Sequence, residues 1–488
     1  MEPIGSISIY LPFVDEKTRE TVLTLMSQSH SYADFVKRIC RKVIKEDSEQ
    51  ELVYLASRYA SDLWDHNLVK RISDRYGQRY PLIPIWIRDN PKDPDDLRGY
   101  AEEVLSTEPE PWIAYHMYSL LYGSARTASI GSPLEERALE EMQQLLASHA
   151  ELAPLEPSYL WQKADSLAGR GQFEEAVSLL ERAIRLLLED DNRVYLEKVH
   201  TKIAYYIRKR NPLKAMEHLE TTRNLRKQLG IEPVEYYNLL NIKGLVHLSA
   251  GEYDATVESY LKAMDVPGVR GTNIGLRYLP ANLAAVYNRM EKHTEALEYA
   301  RMSLEMKPFL TDSGSYRPFA HFQMAMSLAG LGRISEAVDH LDAAWSFSLK
   351  SGSEHMKYLY HLASGLIERA EGNHITAMQS FETALGDGSH PNTLVELTRT
   401  EVELFNPTDS NAEDEASGPW MRRLDERVSE GYLPGFFGLA LLLKADLRRK
   451  QGRHEEMEQL FVQVSELAED PKVAFLKDLL SQTIRVNL

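Results

Sequence analysis

A small side chain recurs down the middle of this chain about every forty residues, a period that specifies a stack of repeated helical units. It stands at Ala176, Ala215, Thr256, Ala296, Ala337 and Ala377, at intervals of 39, 41, 40, 41 and 40 residues. The next match, Met457, follows 80 residues later, so a degenerate unit is expected between them. Twelve residues before each rung sits another small or apolar residue: Ala164, Ile203, Gly244, Ala284, Ala325, Gly365 and Ala445. Five before it a glycine often marks a turn, at Gly171, Gly251, Gly332, Gly372 and Gly452. Four after it comes a large apolar residue (Leu180, Leu219, Tyr260, Leu341, Phe381 and Phe461), with Ala300 departing from the rule. Seven after it stands alanine in four units, at Ala183, Ala263, Ala344 and Ala384.

Packing explains the choices. Two antiparallel helices approach closely only where the side chains at their crossing are small. A large residue one turn later fills the wider space beside that crossing. Glycine reaches the positive φ that ends a helix and reverses the chain. Pro308 after one second helix cannot continue it.

These positions resemble the tetratricopeptide repeat, whose motif has a small residue in each helix, a turn glycine, an aromatic just after it and a trailing alanine. Phe173 and Tyr253 match that aromatic, whereas His293, Ile334, His374 and His454 do not. The resemblance covers 157–390 and, more loosely, 431–470. The family unit is about 34 residues, so the longer period here is similar to the long-helix variety found in sensor domains and adaptors. It implies an all-α, right-handed helical-hairpin solenoid. The expected organisation is a divergent helical region or cap at 1–156, repeats at 157–390, a degenerate repeat at 391–430, and a final repeat and cap at 431–488.

Within 1–156 the segment 31–45 is amphipathic, with Tyr32, Phe35, Val36, Ile39, Cys40, Val43 and Ile44 on one face and Ser31 as its N-cap. Further helices are expected near 50–62, 66–76, 95–106, 110–122 and 133–149, and 4–13 alternates enough for a short strand. Residues 406–419 are acidic and turn-forming and predict an exposed loop, and 309–317 predicts a second interruption.

Composition narrows the function. There are 56 basic and 73 acidic residues, a net charge of −17, which disfavours broad nucleic-acid binding. One cysteine, Cys40, precludes a disulfide framework and reads as a buried small hydrophobe. No signal-peptide pattern and no membrane-length apolar run is present, so a cytoplasmic protein is expected. The dense positive face of 31–45, Lys37, Arg38, Arg41, Lys42 and Lys45, is the one place suited to an acidic partner, although a solvated face is the plainer reading.

No phosphate loop, metal-binding or nucleophile motif occurs, so no catalytic residue, cofactor or metal is expected. His355 and His361, six apart, suit packing better than shared ligation, and the adjacent carboxylates Glu174–Glu175 and Asp190–Asp191 suit solvated surface. The resemblance implies a concave groove lined by first helices. Its groove positions fall on Asn238, Asn241, Tyr278, Asn282, Asn288, Arg289, Phe319, Phe322, Gln323 and Leu362. Asparagine pairs with both groups of an extended backbone, and aromatics add apolar area at little entropic cost. The family's carboxylate clamp is not expected, because its first pair of positions holds Trp161 and Asp165. The expected function is a non-catalytic scaffold binding a peptide or extended protein segment. The alternative is a regulatory sensor whose array changes curvature on binding and controls a separate effector.

Overall fold

The computed structural model describes residues 11–63, 66–76, 94–128, 131–266, 278–305, 316–348, 354–386, 390–406, 418–430 and 433–487. Most of the 4–13 segment and of the 309–317 and 406–419 loops lies outside them; of the first, Leu11–Phe13 form a 3-10 turn. Among the described residues there are 24 α-helices and no strand. By contact density the chain forms two compact units. The first comprises Met1–Ile207, Lys214–Leu239 and Val266–Thr272, and the second Arg208–Leu213, Leu240–Asp265 and Asn273–Leu488.

In chain order the helices are α1 (Glu16–Ser27), α2 (Tyr32–Lys45), α3 (Gln50–Asp62), α4 (His66–Tyr76), α5 (Pro94–Leu105), α6 (Pro111–Ala128), α7 (Pro133–Ser148) and α8 (Glu156–Gly169). Then follow α9 (Phe173–Glu189), α10 (Arg193–Ile207), α11 (Pro212–Gln228), α12 (Tyr237–Ala250), α13 (Tyr253–Asp265), α14 (Tyr278–Arg289), α15 (His293–Glu305) and α16 (Tyr316–Gly330). The last are α17 (Ile334–Ser348), α18 (Glu354–Ala370), α19 (His374–Leu385), α20 (Pro391–Leu404), α21 (Pro419–Ser429), α22 (Pro434–Lys450), α23 (His454–Leu467) and α24 (Phe475–Asn487).

In the first unit, one apolar core runs from Val22, Phe35, Ile39 and Tyr59 through Tyr115 and Met142 to Val194, Leu229 and Ile231. The helices before residue 156 therefore share a core with the first repeats. Helix α2 starts as its sequence specifies, with Ser31 Oγ accepting from Asp34 N at 3.2 Å. Its Ala33 N–H bonds Leu229 O at 3.4 Å, and Gly230, at φ +67°, leaves no room for a Cβ, which would lie 2.9 Å from Ser31 Cβ.

The rungs Ala176, Ala215, Thr256, Ala296, Ala337 and Ala377 are fully buried at helix crossings, whereas Met457 is only half-buried. Turn glycines Gly171, Gly251, Gly332, Gly372 and Gly452 all lie between φ +71° and +86°. Of the two repeats without that glycine, the one with Glu291 at the position takes the same left-handed conformation, at φ +58°. The crossings are also matched in size. At two crossings an aromatic residue faces a glycine: an added Cβ at Gly244 would meet Tyr260 at 2.3 Å and one at Gly365 would meet Phe381 at 2.5 Å.

Within the second unit the final helices return to its first hairpin. Tyr253 is buried against Phe436 and Phe475, at ring separations of 6.0 and 4.8 Å. Lys472 pairs with Glu252 at 3.3 Å, Asp254 accepts from Phe475 N at 2.7 Å, and Lys292 pairs with Asp478 at 2.9 Å.

Candidate functional site: the first-helix face of the second unit

Helices α14, α16 and α18 are the first members of successive hairpins and contact one another in that order. They carry most of the groove positions inferred from the sequence. Tyr278 is exposed, and Asn282, Asn288, Arg289 and Phe319 are half-buried. Asn288 Nδ2 donates to Gln323 O at 3.0 Å and to Gln323 Oε1 at 3.2 Å, and its Oδ1 accepts from Ser327 Oγ at 2.9 Å. That amide is thus committed to joining α14 to α16.

Phe322, Gln323 and Leu362 depart from the expectation. Phe322 is fully buried, Gln323 is 2% exposed and Leu362 8%. The helical period turns these residues toward the neighbouring helices, so they pack the array instead of facing a ligand. Asn241 is half-buried with no hydrogen-bond partner for its Oδ1 among the described residues; Asn238, in the first unit, is half-buried.

A second group converges on the same face, joining Phe319 and Arg289 to residues the motif did not indicate. The Phe319 and His355 rings are 6.3 Å apart, His355 and Tyr358 6.0 Å, and Tyr358 and His390 4.9 Å. Asn392, in the first turn of α20, bridges Arg289 and Tyr253. With its side-chain amide turned to suit these neighbours, its Oδ1 accepts from Arg289 Nε at 2.8 Å and Nη2 at 3.3 Å while its Nδ2 donates to Tyr253 Oη at 3.2 Å. Arg289 Nη1 is covered and has no acceptor among the described residues. Lys209, exposed, lies close enough for its charge to act on both His355 and His390.

His355 is exposed at the surface, yet protein packed around its ring partly desolvates it. Desolvation first, then the charges of Lys209, Arg289 and His390, lower its pKa to about 4. Desolvation and Lys209 lower His390 as well. Sequence reasoning missed this group for identifiable reasons: Lys209 lies in a turn, and His390 and Asn392 belong to the degenerate repeat.

Beside it opens a cleft of 340 Å³ lined by Asn288, Glu291, His293, Arg369, Glu396 and Arg399, among others. Its charges are internally matched. Arg369 pairs with Glu396 at 2.6 Å, Arg399 with Glu291 at 2.5 Å and His374 with Glu403 at 3.3 Å. Such pairs anchor α20 against the preceding repeats and leave little net charge for a ligand.

In the first unit, Asp165 occupies the position where a carboxylate clamp would start. It accepts from Trp161 Nε1 at 3.2 Å, Lys202 Nζ at 2.7 Å and Tyr206 Oη. The protein's own carboxylate satisfies those donors. The basic residues of α2 lie at its surface, with Arg38 paired to Asp34 at 2.9 Å and Lys42 to Glu46 at 2.5 Å. Cys40 is buried, its Sγ 3.5 Å from Ala56 O. Among the described residues there is no cluster of three metal-ligating side chains, and no helix is long and apolar enough to cross a membrane.

Comparison with known families bears on the hairpins directly. Two tetratricopeptide-repeat models match, one at residues 157–182 and 318–343 and the other at 440–474. Each matched segment lies on one of the helical pairs described above. These segments carry tetratricopeptide-like repeats. No curated protein matches it by sequence.

Similar solved structures include a Rap protein complexed with competence and sporulation factor, at 16% identity and TM-score 0.45, covering 68% of this chain and 98% of that one. The apo quorum sensor NprR from B. thuringiensis gives 13% identity and TM-score 0.41, covering 85% and 99%. A signal-transduction ATPase with a tetratricopeptide repeat sensor from Pyrococcus horikoshii gives 12% and 0.36, covering 90% and 66%.

Proposed function

We propose that this protein is a non-catalytic interaction scaffold that holds a peptide or extended protein segment against the α14–α16–α18 face of its second unit. The observation that carries the reading is the side-chain set left accessible there: Tyr278, Asn282, Phe319, His355 and Tyr358, on three consecutive first helices. Amides and aromatics at successive turns suit an extended backbone with alternating side chains. Tetratricopeptide-repeat matches together with adjacent first helices support it, since such arrays present continuous binding surfaces.

A random-peptide library panned on the full-length chain tests the proposal. Selected peptides should bind the wild type and weaken by about tenfold, equivalent to ~1.4 kcal/mol, on Asn282→Ala or Phe319→Ala. Both variants should keep the wild-type melting temperature. Peptide affinity indifferent to both substitutions, or failure to select any peptide, would count against the proposal.

A further inference from the structure

We propose that Lys209, Arg289, His355 and His390 form an oxyanion-binding subsite of this face, suited to a phosphoryl group. Four separate elements supply the donors: the turn before α11, the end of α14, the first turn of α18 and the residue capping α20. The rings of Phe319, His355, Tyr358 and His390 follow one another at separations of 4.9 to 6.3 Å, and Lys209 and Arg289 lie near enough for their charges to act on His355.

Charge accounting points the same way. The charged neighbours acting on His355 are Lys209, Arg289 and His390, and none is a carboxylate. Lys209 makes no ion pair among the described residues, and Arg289 is held by a neutral amide. Glu396, which acts on the adjoining Tyr253, is already engaged by Arg369 at 2.6 Å and Arg399 at 3.8 Å. In a chain of net charge −17, two fixed cations and two imidazoles without a counter-ion are a costly arrangement. A phosphoryl group brings about two negative charges and three acceptor oxygens, matching both fixed cations and leaving an oxygen for an imidazole N–H. A single carboxylate brings one charge and satisfies fewer donors. The covered Nη1 of Arg289, which has no acceptor, is the group such a ligand would relieve after a small side-chain movement.

Only the source of the phosphoryl group, a bound peptide, rests on the proposed scaffold function. The test is a titration of the full-length chain, carbon-13 labelled at histidine, with inorganic phosphate, acetyl-alanyl-phosphoseryl-alanine amide and acetyl-alanyl-glutamyl-alanine amide at constant ionic strength. His355→Gln and His390→Gln assign the two resonances. The expected result is saturable movement of both resonances with phosphate and with the phosphopeptide, at least about tenfold tighter than with the glutamyl peptide. Lys209→Ala should weaken phosphate by about tenfold without changing the melting temperature, because that side chain is exposed and unpaired.

No saturable movement, or equal affinity for the glutamyl peptide, would overturn the assignment. Phosphopeptide binding tighter than free phosphate supports a peptide source; equal affinity supports a small phosphate ligand at the same subsite. Library-selected peptides that bind undiminished in Lys209→Ala, with no phosphate response, would sink the subsite but spare the scaffold reading. A phosphate response with no selectable peptide would do the reverse.

Discussion

Arg226 illustrates how single side chains are held in this fold. It is fully buried, donates to Glu197 at 3.3 Å and to Pro233 O at 3.1 Å, and stacks on Tyr236 with its guanidinium carbon 4.0 Å from the ring centroid. Burial raises the Glu197 pKa while Arg226 opposes it. Arg226→Ala should destabilise by about 3 kcal/mol in urea unfolding, and adding Glu197→Gln should recover part of that by removing the stranded carboxylate. Two histidine pairs offer a pH test. His200 and His218 meet Nδ1 to Nδ1 at 2.8 Å, and His321 and His340 at 2.9 Å. Burial first, and the paired ring second, lower His200 and His321 to about 4; burial lowers His218 and His340. The folded state therefore favours neutral rings. Their contribution is fully present above the unfolded histidine value near ~6.5 and is lost as pH falls toward about 4. A thermal melt of His200→Gln plus His321→Gln should lose less stability than wild type across that window. An unchanged pH dependence would show that the pairs do not matter.

At the scale of the helical hairpin, the size match at the crossings is the controlling interaction. Gly365→Ala should cost about 1–3 kcal/mol by driving a methyl into Phe381, and Phe381→Leu should rescue it, because Ala325 with Leu341 already uses the smaller combination. Thermal denaturation of the two single variants and the double variant measures that coupling, and additive losses would contradict it. These hairpins were legible from sequence because their spacing repeats and because close approach admits few residue types. The glycine–aromatic pairing was present in the same columns, but only the three-dimensional crossing shows that Gly244 faces Tyr260. Phe322 and Gln323 were misplaced for a related reason. A family position states which turn of a helix a residue occupies, whereas a rotation of a few tens of degrees decides between groove and core. Glu291 was invisible as a turn residue because it does by conformation what glycine does elsewhere, its side chain being held by Arg399.

At the scale of the whole second unit, the return of the last helices onto the first hairpin had no periodic signal, because it depends on contacts between residues some 140 to 220 apart such as Tyr253–Asn392 and Glu252–Lys472. Gly435 is the tightest point of that closure, since a Cβ there would lie 1.8 Å from Gly251 O. Gly435→Ala should loosen α22 and α24 from α13, with faster amide exchange at Phe475 and a loss of about 2 kcal/mol or more. The subsite was equally hidden, since its members come from a turn, a regular repeat and a degenerate one. Each residue had an ordinary explanation alone, and only their convergence suggests a ligand. The most direct measurement of the central proposal is amide hydrogen exchange of the full-length chain with and without a library-selected peptide. Protection is predicted in the first helices α14, α16 and α18, with α15 and α17 unchanged. Protection confined to the second helices α15 and α17, or to the first unit, would contradict it.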